Sequence, residues 1–275
     1  MTEMAGRMKL ESRGYATDLM IASMEGSVVL GDGYVAVRTP TCPAFWWGNF
    51  ILFSEPPQRD REREWEETFD RELAEVSGVE HRLFAWDRID GEVGDTAGFV
   101  ERGYALRECI FLMARSVQRP SHHRTDALVR LIEDDVDWKR ALSIQHESLE
   151  RERDTESYRR FQAAQMARNQ RLVGQGYGKW FGAFDGANCV ATMGVLVRDG
   201  VARCQSVATL PAYRRKGYCS TLVHDACEHA FREMGAREIV IMTDVGNPAA
   251  GVYMAVGFRI EERVASLSLS RANGA

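Results

Sequence analysis

Residues 201–258 read VARCQSVATLPAYRRKGYCSTLVHDACEHAFREMGAREIVIMTDVGNPAAGVYMAVGF, and no other stretch constrains the fold as much. Residues 201–209 are rich in β-branched and small side chains and stop at Leu210-Pro211, as a strand does. Apolar or small residues then fall at Cys219, Leu222, Val223, Ala226, Cys227, Ala230, Phe231 and Met234, one stripe at helical spacing closed by Gly235. Between strand and helix lies Arg214-Arg215-Lys216-Gly217-Tyr218-Cys219-Ser220, a basic turn containing glycine. A helix start presents unpaired N–H groups and the positive end of the macrodipole, so this junction is suited to an anion.

Arg214-x-x-Gly217-x-Cys219 resembles the Q/R-x-x-G-x-G/A motif of the GNAT superfamily of acyl-CoA N-acyltransferases. A second strand at 238–243, then Asn247-Pro248-Ala249-Ala250, Tyr253 and Gly257-Phe258, is similar to that family's N-x-A-A…Y-x-x-x-G-F ending. Both motifs occur in order around a helix of suitable length, and the resemblance covers about the last 145 residues.

The resemblance implies acetyl-CoA as acyl donor. Val207, Ala208 and Thr209 would pair with the pantetheine arm like another strand. Arg215, Lys216, Gly217, Tyr218, Cys219 and Ser220 would meet the diphosphate, with Arg214 either helping or only fixing the turn. Gly217 has no Cβ, which permits close approach and unusual φ. Cys219 stands where the family has Gly or Ala, a small residue whose place on the apolar stripe points it inward.

An alkyl ammonium, with a pKa of about 10, attacks a thioester only after losing a proton. Some family members carry a glutamate for this in the strand before Asn247. Here that strand reads Ile239-Val240-Ile241-Met242, which leaves Asp244 as the candidate base, directly or through water, against a plain role in turning the chain before Gly246. Tyr253 is the candidate acid for the leaving thiolate, because phenol and thiol pKa values lie close; the alternative is a core aromatic. Asn247 would start the short helix, either as its cap or as a CoA contact. A backbone N–H would meet the thioester carbonyl where the arm-binding strand splays.

Length allows two domains: the chain has 275 residues, 45% of them hydrophobic. A net charge of -5 and a pI near 5.8 argue against a nucleic-acid partner. The six cysteines, at 42, 109, 189, 204, 219 and 227, form no C-x-x-C and read as reduced, buried thiols. No segment reads as a signal peptide or a membrane span, so a cytoplasmic location is expected.

In the N-terminal part, 28–37 suggests two short strands around Gly31-Asp32-Gly33, and 47–53 a buried strand closed by Pro56-Pro57. Residues 59–75 form an amphipathic helix with Trp65, Phe69, Leu73 and Val76 on one side. A strand at 81–86, a short helix near 96–102, Gly103-Tyr104 and a strand at 106–113 follow. This order repeats that of 201–275, whose last strand is expected at 261–269. We read a degenerate copy of the same half-fold, against an unrelated α/β domain. Its turn is Ser54-Glu55-Pro56-Pro57, where a carboxylate and two prolines disfavour a pyrophosphate.

Residues 118–126 read as a linker whose His122-His123 pair lacks a third ligand nearby, so exposed histidines and no metal are expected. Beyond it come a strand at 127–132, helices at 135–147 and 153–172, and strands at 179–184 and 189–197 joined at Asp185-Gly186. The resemblance puts the acceptor beside the segment 147–156, whose carboxylates are diluted by arginines; the alternative is a solvated helix junction.

The expectation is an α+β protein with two GNAT-like domains in tandem, 1–119 and 120–275, each a mixed central sheet flanked by helices. Its C-terminal domain would transfer acetyl from acetyl-CoA to an amine, as a monomer or homodimer without nucleic acid or membrane. The competing reading is a CoA-binding regulatory or scaffold protein without turnover. A Rossmann-type binder is disfavoured, since no G-x-G-x-x-G follows a strand.

Overall fold

The structure is a computed structural model that describes residues 9–149 and 155–270. Its helices are α1 (Arg13–Ala22), α2 (Glu62–Glu72), α3 (Ala97–Glu101), α4 (Asp135–Glu147), α5 (Glu156–Gly174), α6 (Tyr218–Glu233) and α7 (Ala249–Val256). Its strands are β1 (Ser27–Leu30), β2 (Tyr34–Arg38), β3 (Phe50–Phe53), β4 (His81–Trp86), β5 (Ala105–Ala114), β6 (Leu128–Leu131), β7 (Gly178–Asp185), β8 (Asn188–Arg198), β9 (Val201–Thr209), β10 (Glu238–Asp244) and β11 (Arg259–Ser270). The chain divides into two compact units, Met1–Phe111 with Glu261–Ala275, and Leu112–Ile260.

In the first unit the strand order is β1-β2-β3-β4-β11-β5. β1, β2 and β3 are antiparallel neighbours, β3 and β4 run parallel, and β11 runs antiparallel to β4. α2 lays Trp65 and Phe69 on this sheet because its charged residues occupy the other face. These rings join Phe84, Trp86, Phe99 and Tyr104 in one core, where Phe84 stands edge-on to Phe99 at 5.8 Å and stacks with Tyr104 at 5.6 Å.

Two local features depart from the sequence reading. The strand expected at 47–53 begins only at Phe50, after a 3-10 turn at Trp46–Gly48. Buried Asn49 causes this: its Oδ1 accepts from Thr39 N at 2.9 Å, and its Nδ2 donates to the Cys42 and Phe45 carbonyls at 3.0 Å each. The helix α1 was not read from the sequence. Ser12 caps it by accepting from Tyr15 N. Buried carboxylates hold its other free amides: Glu262 takes Arg13 N at 2.8 Å and Gly14 N at 3.1 Å, and Asp87 takes Glu11 N at 2.6 Å and Ser12 N at 2.8 Å.

Residues 261–270 lie with the first unit, because β11 pairs with β4 from Ser266 to Ser270 and buries Ala265 and Leu267 in that unit's core.

In the second unit the order is β10-β9-β8-β7-β6. β6 to β9 are antiparallel neighbours, and β9 and β10 run parallel across the α6 crossover. β8 is buried along almost its whole length, which explains its unbroken apolar run. α6 packs on β7 and β8 through Leu222, Val223, Ala226, Cys227 and Ala230, all fully buried. α4 packs on β8 and β9, and α5 on α4 and β7. The order β3-α2-β4-α3-β5 recurs as β9-α6-β10-α7-β11, with a parallel strand pair around the longer helix each time. Among the described residues, no helix is long and apolar enough to cross a membrane.

Candidate active site

The site lies where β9 and β10 part. β9 pairs with β10 only through Val201, Ala202 and Arg203, opposite Glu238, Ile239 and Val240. β9 continues to Thr209 and β10 to Asp244 without further pairing among the described residues. The β10-facing edge of β9 over 204–209 is therefore open to a partner, and Val207, Ala208 and Thr209 lie on it.

Within this stretch β9 carries a bulge. Between the pairs Thr192–Ala208 and Gly194–Gln205, Met193 of β8 stands opposite both Ser206 and Val207. Ser206 is left-handed, with φ 49°. Such a bulge takes one residue out of the ladder and bends the strand. Gln145 of α4 holds it from behind, donating from Nε2 to the Ser206 carbonyl at 2.6 Å.

At the end of β9 the Thr209 carbonyl accepts from Ser148 Oγ at 3.1 Å and from Arg214 Nε at 3.3 Å, while Arg214 Nη2 donates to the Ser148 carbonyl at 2.7 Å. The Arg214 side chain thus ties the turn to β9 and to the end of α4. Pro211–Tyr213 form a 3-10 turn, and Arg215 and Gly217 then adopt left-handed φ of 57° and 88°. Gly217 is the N-cap residue of α6. Among the described residues, the amides of Arg215, Lys216, Gly217, Tyr218, Cys219 and Ser220 donate to no backbone carbonyl outside the helix. No acidic residue occupies the first turn of α6, and Arg215 and Lys216 are exposed beside it. A Cβ on Gly217 would collide with the His122 carbonyl, so glycine is required by packing as well as by φ. Cys219 is half-buried, and burial pushes its thiol up to about 11 while the Thr209 hydroxyl pulls the other way.

Tyr253 lies on α7, which packs on α6. It is 5% exposed, and burial pushes its phenol well above the ordinary range, with Cys219, Cys204 and Cys227 as further titratable neighbours. Those cysteines belong to α6 and β9, so the ring sits beside both elements. Asn247 Oδ1 accepts from Ala249 N at 2.9 Å at the start of α7, a local capping bond. Half-buried Asp244 ends β10, and its carbonyl accepts from Asn247 N at 3.1 Å. Of the expected acceptor segment, residues 150–154 lie outside the described residues; Glu147 is bonded to Arg140 at 2.9 Å and to Ser143 at 2.5 Å.

The corresponding turn of the first unit has different chemistry. After β3, Glu55 pairs with Arg88, and the Pro57 carbonyl accepts from Asp95 N at 2.8 Å. The helix that follows carries Glu62 and Glu64 in its first turn. Those carboxylates occupy the electrostatic position that α6 leaves to an anion.

Several groups that shape the site were not singled out from the sequence. Gln145 and Ser148 reach β9 from 61 residues away, and Thr221 Oγ1 accepts from Arg124 N at 2.8 Å. The reading of 118–126 as a linker with exposed histidines and no third ligand needs correction. His122 is exposed, but His123 is half-buried and meets Asp225 and His224, more than a hundred residues on.

Comparison with known proteins fits this geometry. Residues 138–258 match the family model described as acetyltransferase (GNAT) family. No curated protein sequence matches the chain. Among solved structures, a functionally unknown conserved protein from Staphylococcus epidermidis superposes with a TM-score of 0.69 at 12% identity, covering 89% of this chain and 94% of the other. A GCN5-related N-acetyltransferase from Kribbella flavida gives 0.63 at 16%, covering 94% and 96%. A tandem GNAT protein from the clavulanic acid biosynthesis pathway gives 0.52 at 14%, covering 98% and 92%. The fold is thus shared with GNAT structures, one of them a tandem GNAT protein. The matched segment, residues 138–258, spans the opened strand, the glycine turn and α7, so the part of the chain that resembles the acetyltransferase (GNAT) family is the part that carries this site.

Proposed function

We propose that the second unit transfers an acetyl group from acetyl-CoA to an amine, and that the first unit is a degenerate copy that binds no CoA. The observation that carries this reading is the meeting of an open, bulged strand edge with a helix start that has free amides, a left-handed glycine and no acidic residue in its first turn.

The fit is direct. The amides of Arg215 to Ser220 receive the diphosphate, with Arg215 and Lys216 adding positive charge. The open edge at Val207, Ala208 and Thr209 offers backbone groups to the pantetheine amides. The bulge at Ser206 and Val207 supplies a backbone N–H outside the ladder, the group suited to polarising an acyl oxygen. Acetyl-CoA supplies an activated acyl group and a thiolate leaving group.

Tyr253 holds its proton throughout the neutral range, because burial disfavours the phenolate. It is the group that delivers a proton where the thiolate forms. The amine loses its proton to Asp244, to water, or through desolvation in the cleft.

The test is a thermal shift with acetyl-CoA, followed by thiol release across a panel of small amines, peptides and proteins. A rise in melting temperature, one acetyl-CoA per chain by titration calorimetry, and thiol release with at least one amine class are expected. Two molecules per chain would overturn the degenerate reading of the first unit. Binding without release over the whole panel would favour the CoA-binding regulatory protein instead.

A further inference from the structure

Three side chains away from the β9 edge converge on one point. Asp225 Oδ1 lies 2.9 Å from His123 Nε2 and 2.7 Å from His224 Nδ1. One donor atom from each of the three lies within 4.8 Å of the others. The imidazole planes stand at 90° with centroids 5.2 Å apart, so the rings reach the shared carboxylate from two directions. Both histidine side chains are largely buried, 12% and 10% exposed. The framework is fixed: His224 and Asp225 are consecutive on α6. The segment bearing His123 is pinned by Arg124 N on Thr221 Oγ1 at 2.8 Å and by His123 N on the Pro120 carbonyl at 3.0 Å.

We propose that His123, His224 and Asp225 bind a divalent transition-metal ion such as Zn²⁺ or Co²⁺, through two imidazole nitrogens and one carboxylate oxygen with water completing the shell. Two nitrogens and one oxygen form a donor set for ions of this class, and hard cations such as Mg²⁺ and Ca²⁺ prefer all-oxygen sites. Zinc ligands at roughly 2.1 Å in a tetrahedron stand about 3.4 Å apart, so the two histidine–aspartate separations of 2.9 and 2.7 Å need to open by about 0.5 and 0.7 Å.

The protons balance. Arg119 Nη2 lies 3.3 Å from His123 Nδ1, and arginine only donates, so Nδ1 accepts and Nε2 carries the proton given to Asp225. Metal binding at Nε2 requires the other tautomer, with the proton on Nδ1; His224 exchanges from Nδ1 to Nε2 in the same way. No proton is lost overall, and the ion replaces two N–H···O bonds to Asp225. Arg119 is an opposing charge in contact with the trio, and it must swing away as Nδ1 becomes a donor.

The consequence is local. The ion would clamp 119–124 onto α6 two turns beyond its start, and the same segment presses the His122 carbonyl against Gly217. Metal occupancy would therefore stiffen the helix start that faces the anion.

The test uses the full chain without an affinity tag, stripped by a chelator and titrated with Co²⁺ and then Zn²⁺. One equivalent of Co²⁺ is expected to develop the visible absorption of a low-coordinate nitrogen–oxygen site. Zn²⁺ should displace it, and either ion should raise the melting temperature by mass action. Asp225→Asn keeps an oxygen acceptor for both imidazoles, so the fold survives, and Co²⁺ affinity should fall at least about tenfold. His123→Ala, outside any helix, should lose it similarly. Absence of both absorption and thermal shift in the wild-type chain at metal concentrations on the order of 0.1 mM would overturn the proposal. So would unchanged Co²⁺ uptake in both variants.

Discussion

Gln145 of α4 and Ser206 of β9 are joined by a 2.6 Å hydrogen bond, from the amide Nε2 to the carbonyl of a residue with left-handed φ. The bond braces the bulge from the α4 side and leaves the β10-facing edge free. Gln145→Ala should cost about 1 kcal/mol of stability, the usual net worth of such a bond. Its larger effect should be on turnover, since a relaxed bulge misaims the backbone N–H at the acyl oxygen. Under the proposed binding mode, in which phosphate contacts dominate, acetyl-CoA affinity should change little. A kcat unaffected by Gln145→Ala would show that the bulge keeps its shape without this support.

Gly217 and Lys216 separate packing from binding at the same turn. Gly217→Ala places a Cβ against the His122 carbonyl at φ 88°, so it should destabilise the second unit by at least about 1–2 kcal/mol. The ammonium of exposed Lys216 lies over Tyr213, 5.4 Å from the ring centroid. Lys216→Glu should leave the melting temperature of the free protein nearly unchanged and remove most of the shift produced by acetyl-CoA. Comparing the two melting curves with and without ligand checks both statements. An undiminished ligand shift in Lys216→Glu would move the diphosphate away from this loop.

The sequence carried the periodic elements well. His81–Trp86, Asp135–Glu147 and Val201–Thr209 lie where alternation or a helical stripe put them. The same holds for the glycine turn, because φ, helix start and charge are all local properties. What escaped depends on partners that no local pattern names. Nothing near Asn49 announces that its amide will close a turn with Thr39, Cys42 and Phe45. The alternation of β11 gives its faces but not its neighbour, so its place beside β4 was not legible. His123 looked isolated because Asp225 and His224 stand on a helix a hundred residues later.

The cap of α1 is the clearest case of such a partner. Glu262, 3% exposed, accepts from Arg13 N, Gly14 N and Ser12 Oγ, the last at 2.6 Å. Glu262→Ala would leave two amides and a hydroxyl unpaired in a buried place. A loss of at least about 4 kcal/mol is expected in denaturant unfolding of the full chain, since the three bonds to a charged group are each worth roughly 1.5–3 kcal/mol. Glu262→Gln retains one acceptor oxygen and should lose about half as much. Equal, small losses for both variants would mean that Asp87 and Ser12 suffice to cap the helix.

Tyr253 is where stability and turnover can be told apart. Tyr253→Phe keeps the ring, its burial and its packing against Phe258, and removes only the hydroxyl. If the phenol delivers the proton to the departing thiolate, kcat should fall by roughly ten- to a thousand-fold, while acetyl-CoA affinity should barely move. The pH dependence follows from the raised phenol pKa. Folding favours the protonated form, so this contribution is complete below the ordinary phenol value of about 10 and is lost as pH rises toward the folded value. Wild-type stability should therefore decline above about pH 10 more steeply than that of Tyr253→Phe. A core-only tyrosine would show the same difference in alkaline stability with turnover preserved. Measuring both properties on the same pair of proteins separates the two roles, and preserved turnover would leave water or the bound substrate as the proton source.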